Sequence, residues 1–279
     1  MPSTTSLTLA LPDVLHAALH ERAARTGETP EAIALAALAD ALETEHPTLF
    51  QVSNTTALTE GVFDGAVSVL TLKEHGDFGL GTFDGLDGEM IVLDGVVYRA
   101  DHTGAITTAP DSALAPFAVI TEFPETPQFS LAQAASFADL TAQLDARRAS
   151  DNLFYAVRIT GHFARIKARS IARQPEGVTL VEAAAHQSEF TFTDVDATLV
   201  SFWTPAYART INVAGWHLHA LTAGHQHGGH VLDLAGADLQ AQLAELADVR
   251  LTIPETPEFL EADLTEDVSD KLAAAESDH

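Results

Sequence analysis

The rhythm of apolar and polar positions changes near residue 47. Ahead of it, Leu7, Leu9 and Leu11 alternate with Ser6, Thr8 and Ala10, which predicts a short strand. A helix is expected from about Asp13, with Leu15, Leu19 and Ala23 along one face and Gly27 as its C-terminal stop. A second helix is predicted to start at Thr29-Pro30-Glu31, which supplies an N-cap, a proline at the first helical position and an acid in the first turn. It is expected to run through Ile33, Leu35, Leu38 and Leu42 to the break at Glu45-His46-Pro47.

From Leu49 onward the pattern is mostly that of strands. Met90 to Leu93 and Val96 to Tyr98, joined by Asp94-Gly95, predict a hairpin with a tight turn. Further strands are expected at Phe117 to Thr121, Phe154 to Ile159, Ala164 to Ile171, Ala197 to Phe202, Gly215 to Leu221 and Val231 to Leu234. Short helices are predicted over Leu131 to Arg147 and Thr179 to His186. The fold class is therefore α+β (mixed α/β), with large mixed β-sheets in a two-part core over residues 47–279. A small strand-helix-helix extension precedes it over residues 1–46. The tail from Pro254 carries nine acids and one lysine, which reads as a solvated helix or a frayed end.

Composition narrows the chemistry. With 46% hydrophobic residues in 279, the chain can bury a large core. There are no cysteines, so disulfides, thiolate metal sites and cysteine nucleophiles are excluded. Any metal must be held by histidine and carboxylate. The formal net charge of −26 repels phosphate backbones and anionic lipid, so neither nucleic acid nor membrane is expected as a partner. An anionic substrate would need a specific arginine to overcome the same field. No stretch approaches the roughly 20 apolar residues of a membrane span, and the first residues lack a charged n-region and an apolar h-region. A cytoplasmic protein is expected.

The strand, helix, Thr-Gly turn and helix of residues 1–46 resemble a ribbon-helix-helix module, which pairs strands between two chains. The expected exposed strand face, Ser6, Thr8 and Ala10, has no base, and Arg22 and Arg25 stand among seven acids. The resemblance therefore implies a homodimer rather than DNA binding. The plainer alternative is an amphipathic helical hairpin packed on the core.

The candidate chemistry centres on Gly215-Trp216-His217-Leu218-His219 and Gly228-Gly229-His230. Residues i and i+2 of a strand share a face. A glycine-marked hairpin returns the third histidine beside the first two. Three converging imidazoles leave an open position on a catalytic divalent metal. For any single histidine a structural role is the better reading; the combination favours ligation. His225 and His227, in the loop between, rank below this triad. A second cluster runs from Lys73 to Met90 and is too rich in glycine for a helix. Glu89 opens the strand after it and is placed to project into a site. Arg169 and Arg173 lie on or just beyond a strand in a chain poor in bases, where an arginine binds a carboxylate or an enolate. For Arg165 and Lys167 surface salt bridges are the better reading.

Several strings together resemble the α-acetolactate decarboxylase family. They are Leu49-Phe50-Gln51, Gly61-Val62-Phe63-Asp64-Gly65, the segment from Lys73 to Met90, Asn152 to Ala156, Thr204-Pro205-Ala206-Tyr207, Asn212 to His219 and Gly228 to Asp233. The resemblance is collinear over about residues 48–265. It implies a carboxy-lyase that converts (S)-2-acetolactate to (R)-acetoin, in acetoin and butanediol biosynthesis, with a Zn2+ ion or another divalent metal. It implies His217, His219 and His230 as the metal ligands, Arg169 and Glu89 as catalytic groups, and Glu276 as a C-terminal glutamate approaching the metal. The family's arginine string carries a proline that Ala168-Arg169-Ser170-Ile171-Ala172-Arg173 lacks. A metal chelated by the hydroxyl and ketone of acetolactate would act as a Lewis acid toward the enediolate left after loss of carbon dioxide. Arg169 would stabilise that charge, and Glu89 or Glu276 would assist delivery of a proton.

Two other classes compete. A cupin-like metal oxygenase or isomerase also uses His-x-His with a later histidine, but Ala220 to Ala223 offer no glutamate after the pair. A metal-dependent regulator with a DNA-binding ribbon is opposed by the charge and by the absent strand bases.

Overall fold

The computed structural model describes residues 8–41, 47–268 and 271–272. Contacts divide the chain into two compact units, Met1–His46 and Pro47–His279.

In the first unit, α1 (Asp13–Thr26) ends where Gly27 takes a left-handed φ of 79° and donates its N–H to the Ala23 carbonyl. Helix α2 (Pro30–Ala41) starts beneath Thr29, whose Oγ1 accepts from the Ala32 N–H at 3.2 Å. The expected apolar faces are only partly covered. Ile33 is buried, Leu19 and Ala23 are half-buried, and Leu15, Leu35 and Leu38 are exposed. Residues 8–12 form no strand, and Leu7 lies outside the described residues. A ribbon strand gains its hydrogen bonds only from a second chain, so a single copy offers it no ladder. Leu42 also lies outside the described residues.

The second unit opens with β1 (Thr48–Val52), α3 (Thr55–Thr59), β2 (Val67–Ser68) and α4 (Val69–Lys73). Then come β3 (Phe78–Thr82), β4 (Glu89–Leu93), β5 (Val96–Ala100), β6 (Ile106–Thr108), β7 (Leu114–Ala115), β8 (Phe117–Thr121) and β9 (Phe129–Ser130). After α5 (Phe137–Asp145) follow β10 (Phe154–Ser170), α6 (Leu180–Ala184), β11 (Ser188–Thr204), β12 (Gly215–Thr222), β13 (Gly228–Leu246), β14 (Asp248–Thr252) and α7 (Pro257–Glu261).

A seven-stranded sheet has the order β14-β1-β8-β3-β4-β5-β6 and is mixed, because β1 runs parallel to β14 and antiparallel to β8. The second sheet, β10-β11-β12-β13-β9, is antiparallel, and an additional pairing of β10 with β13 closes β10 to β13 into a ring. Closure leaves none of those four strands with a fully open edge.

The expected strands are present but several are longer than the hydropathy pattern indicates. Phe154 to Ile159 and Ala164 to Ile171 are parts of one 17-residue strand, β10. Its register with β13 shifts between Phe163 and Arg165. Phe163 and Ile166 are therefore buried in one cluster although they stand an odd number of positions apart. The shift places Arg169 on the opposite face from Ile166 and Ala168. The helix expected over 131–147 is confined to Phe137–Asp145, because Ser136 caps it by accepting the Asp139 N–H. Leu131 and Ala134 instead bond to Leu239 and Gly236 beside β13.

Three apolar clusters follow from strand alternation. One fills the ring, with Val157, Ile159, Leu199, Leu218, Ala220 and Leu234. One lies on the far side of the seven-stranded sheet, with Met90, Val92, Ala118 and Ile120. The third joins the two sheets face to face through Leu80, Ile91, Leu93, Phe117, Phe202 and Leu221. The candidate site lies in this seam. No described helix is long and apolar enough to cross a membrane.

Candidate metal centre

Alternation along β12 buries Leu218 and Ala220 inside the ring and turns His217 and His219 toward the seam. On β13, Val231 faces the ring and His230 faces the seam. His219 pairs directly with His230 across the sheet, and His230 pairs on its other side with Arg169 of β10. One row across three adjacent strands thus carries three of the candidate side chains. Glu89 comes from the opposing sheet, on the same face of β4 as Ile91 and Leu93.

All five are buried, with exposures of 8% for His217, 1% for His219, 4% for His230, 2% for Arg169 and 8% for Glu89. His217 Nε2 lies 3.2 Å from His219 Nε2 and 3.0 Å from His230 Nδ1. One ligand atom from each histidine falls within 4.8 Å of the others. Nitrogens each ~2.0–2.1 Å from a tetrahedral zinc stand about 3.3 Å apart, so the donor set fits such an ion. Glu89 Oε2 approaches His219 Nε2 at 3.6 Å.

The ring orientation of His219 is set from the other sheet. Its Nδ1 stands 2.8 Å from the Met90 carbonyl oxygen. A carbonyl can only accept, so Nδ1 carries the hydrogen and Nε2 presents its lone pair to the centre. Burial, and then the positive charge of Arg169, push His217 down to about 3, so its imidazole is neutral and available as a ligand.

Close approach of the strands depends on the two glycines before His230. A Cβ on Gly228 would come within 2.6 Å of the Ala220 carbonyl oxygen, and one on Gly229, at φ 152°, within 2.7 Å of that of Arg169. The cavity at the centre is further lined by Leu58, Thr82, Leu86, Phe117, Ile171, Leu180 and Val213.

Glu276 lies outside the described residues. Arg173 does not line the cavity; it pairs with Asp84 at 2.6 Å. Arg165 and Lys167 make ion pairs with Asp233 and Glu189. His225 and His227 are exposed at the hairpin tip, His225 against the Tyr98 hydroxyl and His227 stacked near Phe192. Sequence reasoning missed Thr82, whose Oγ1 donates to the Gly88 carbonyl, and the Met90 carbonyl. Thr82 stands in the glycine-rich segment at the end of β3, which was a usable signal. A main-chain oxygen leaves no signal in the sequence.

The profile of the alpha-acetolactate decarboxylase family matches residues 49–266. The alpha-acetolactate decarboxylase of Methanosarcina mazei is 41% identical over 82% of this chain and 80% of its own length. That of Brevibacillus brevis is 38% identical over 82% and 81%. The crystal structure of alpha-acetolactate decarboxylase from Bacillus subtilis strain 168 superposes with a TM-score of 0.80 at 34% identity, covering 83% of this chain and all of that one. The match spans both sheets and every described residue of the candidate centre, and the chain belongs to the alpha-acetolactate decarboxylase family.

Proposed function

We propose that this chain decarboxylates 2-acetolactate to acetoin at a divalent metal, zinc in the first instance, held by His217, His219 and His230. The observation that carries the reading is the convergence of three buried imidazole nitrogens beside Arg169 and Glu89 in a member of this family. The metal would supply Lewis acidity toward the hydroxyl and ketone oxygens of the substrate.

The chain's own residues account for the rest. Arg169, buried in an acidic protein, provides the local positive charge that draws in the carboxylate and orients it. The bond between that carboxylate and C2 breaks, and its electron pair passes to the neighbouring ketone, which gives an enediolate. Arg169 stabilises this charge in surroundings from which Leu58, Phe117, Leu180 and Val213 exclude water. One proton is then taken up at carbon, so acetolactate and a proton give acetoin and carbon dioxide. Glu89 is placed to deliver that proton from one face, with Glu276 as a second donor from the tail.

The test is acetoin formation from racemic acetolactate by metal-loaded and chelator-stripped protein. Metal-dependent acetoin, lost in His219→Ala, supports the reading. No acetoin from fully zinc-loaded protein overturns it and brings forward the cupin-like oxygenase or isomerase alternative.

We further infer a cytoplasmic homodimer joined through residues 1–46. The support is the run of exposed Leu9, Leu11, Val14, Leu15, Leu35 and Leu38 in a unit compact by itself. Light scattering on the full chain and on a variant starting at Pro47 checks the dimer. Equal masses per chain would overturn it.

A further inference from the structure

The turn between β3 and β4 carries three cavity-lining residues: Thr82 before it, Leu86 within it and Glu89 after it. Its backbone is left-handed at Gly85 (φ 70°), Leu86 (φ 59°) and Gly88 (φ 91°). A buried leucine with positive φ is strained by about 1–2 kcal/mol and persists only where its surroundings impose it. Behind the turn is a second cavity, bordered by Phe83, Asp84, Asp87, Arg99 and Arg173, with Phe83 packed into the cluster on the far side of the sheet.

The Phe63 carbonyl accepts the Gly85 N–H at 2.9 Å, and Arg99 of β5 donates to the Asp87 carbonyl at 2.9 Å and to Asp87 Oδ1 at 2.7 Å. The link to the other sheet is the continuation of β10, the strand that carries Arg169. The Gly88 N–H donates to the Ile171 carbonyl at 3.0 Å and the Gln174 N–H to that of Gly85 at 2.8 Å. Arg173 donates through Nη1 to the Asp84 carbonyl at 2.9 Å and through Nη2 to Asp84 Oδ2 at 2.6 Å. Asp84 Oδ1 accepts the Gly65 N–H at 2.9 Å. The guanidinium lies close over Gly85, where a Cβ would come within 2.8 Å of Arg173 Cζ.

We propose that Arg173 and Asp84 form a positioning pair, which fixes the Glu89-bearing turn of one sheet against the Arg169-bearing strand of the other. The pair touches neither metal nor substrate. Arg173 follows Arg169 by four residues, and Asp84 precedes Glu89 by five, so the pair sets the distance across the cavity between that charge and that carboxyl. Partial burial alone would raise the Asp84 carboxyl, but hydrogen bonds from Arg173 and Gly65 and the charge of Arg173 leave it below its ordinary range. Asp84 in turn raises Arg173, as a pair formed in the folded state requires.

The inference rests on the decarboxylase reading, and its test keeps the two apart. The single variants Asp84→Asn, Arg173→Met and Arg173→Lys, the double variant combining Asp84→Asn with Arg173→Met, and the control Arg165→Gln are compared with wild type. Measured are kcat and KM for 2-acetolactate, bound zinc per chain and Tm. Each of Asp84→Asn and Arg173→Met is expected to lower kcat about 10- to 100-fold with KM changed by less than about threefold and zinc content unchanged. The double variant is expected to be no worse than the poorer single, because the two residues act as a unit. Arg173→Lys recovers part of kcat by keeping the charge, and Arg165→Gln, which breaks another ion pair of the same strand, leaves kcat at the wild-type value. Loss of kcat only in proportion to lost zinc or folded protein, or additive effects in the double variant, would overturn the pair. Active wild type with unaffected single variants would overturn it alone; inactive zinc-loaded wild type would overturn the decarboxylase reading and the pair with it.

Discussion

Arg169 and His230 stand directly opposite each other in the antiparallel pairing of β10 with β13. His219 is the partner of His230 on its other side. A cation and two imidazoles are thereby held in line by sheet register, with spacing that no loop has to maintain. Charge sits beside the proposed metal ligands by construction, and substitutions in this row are expected to act on chemistry and on metal retention separately.

His219→Ala removes a proposed ligand whose ring is oriented by the Met90 carbonyl of β4. Bound metal is expected to fall from about one ion per chain to a small fraction of that, with acetoin formation lost in parallel. Elemental analysis of dialysed protein checks the first and the acetoin assay the second.

Arg169→Ala is expected to leave metal content intact and to reduce kcat/KM about 100-fold or more, as loss of a charge aimed at a developing anion does. Steady-state kinetics with racemic acetolactate and parallel metal analysis decide it. A variant with full turnover and full zinc would remove Arg169 from the reaction.

If the proposed centre holds its metal, chelation should lower thermal stability, since the folded state alone assembles the three histidines. At a thousandfold excess of metal over its Kd the ion adds about 4 kcal/mol. In a domain of this size that corresponds to a fall of roughly 8–16 °C in Tm on chelation. Calorimetry with and without chelator measures it.

Gly229→Ala puts a methyl group against the Arg169 carbonyl at a φ that L-residues rarely adopt. A destabilisation of about 2–3 kcal/mol is expected, with weakened metal binding because His230 is the next residue. Urea unfolding and metal titration report the two effects.

The Asp84–Arg173 pair has an acid limit. The Asp84 carboxyl lies below its ordinary value of 3.8 when folded. Its contribution to stability is therefore complete above pH 3.8 and is lost as pH falls through the lower folded value. Urea denaturation should show wild type and Asp84→Asn furthest apart near neutrality and converging below about pH 4.

Much of the centre was legible because its geometry is periodic. His217 and His219 lie two apart on a strand, and Gly228-Gly229 mark the return that brings in His230. The hydropathy pattern placed the apolar strands β4, β5, β8 and β10 to β13 but not the full length of the long ones. It did not mark β3, whose glycines break the pattern, nor the edge strand β14. The outer halves of β10, β11 and β13 alternate with polar residues and lack a continuous apolar run. The register shift beside Ala164 was not legible either, although it decides which face Arg169 takes. Spacing alone left Arg169 and Arg173 equivalent. What separates them is that one side chain turns into the seam while the other reaches a carboxylate on a neighbouring turn. The helix expected from Leu131 failed at Ser136, a cap residue inside an otherwise helical pattern.

The oxygen that orients His219 belongs to the backbone of Met90. No point substitution deletes a main-chain carbonyl, so this contact is immune to the commonest kind of genetic damage. The cost of that immunity is carried elsewhere. Any insertion or deletion that slides β4 by one residue would swap the carbonyl for an N–H and exchange Glu89 for its neighbour at once. The side chain at position 90 answers to the packing of its own cluster, whereas the carbonyl answers to the length of the strand, and indels are the changes that this contact cannot absorb.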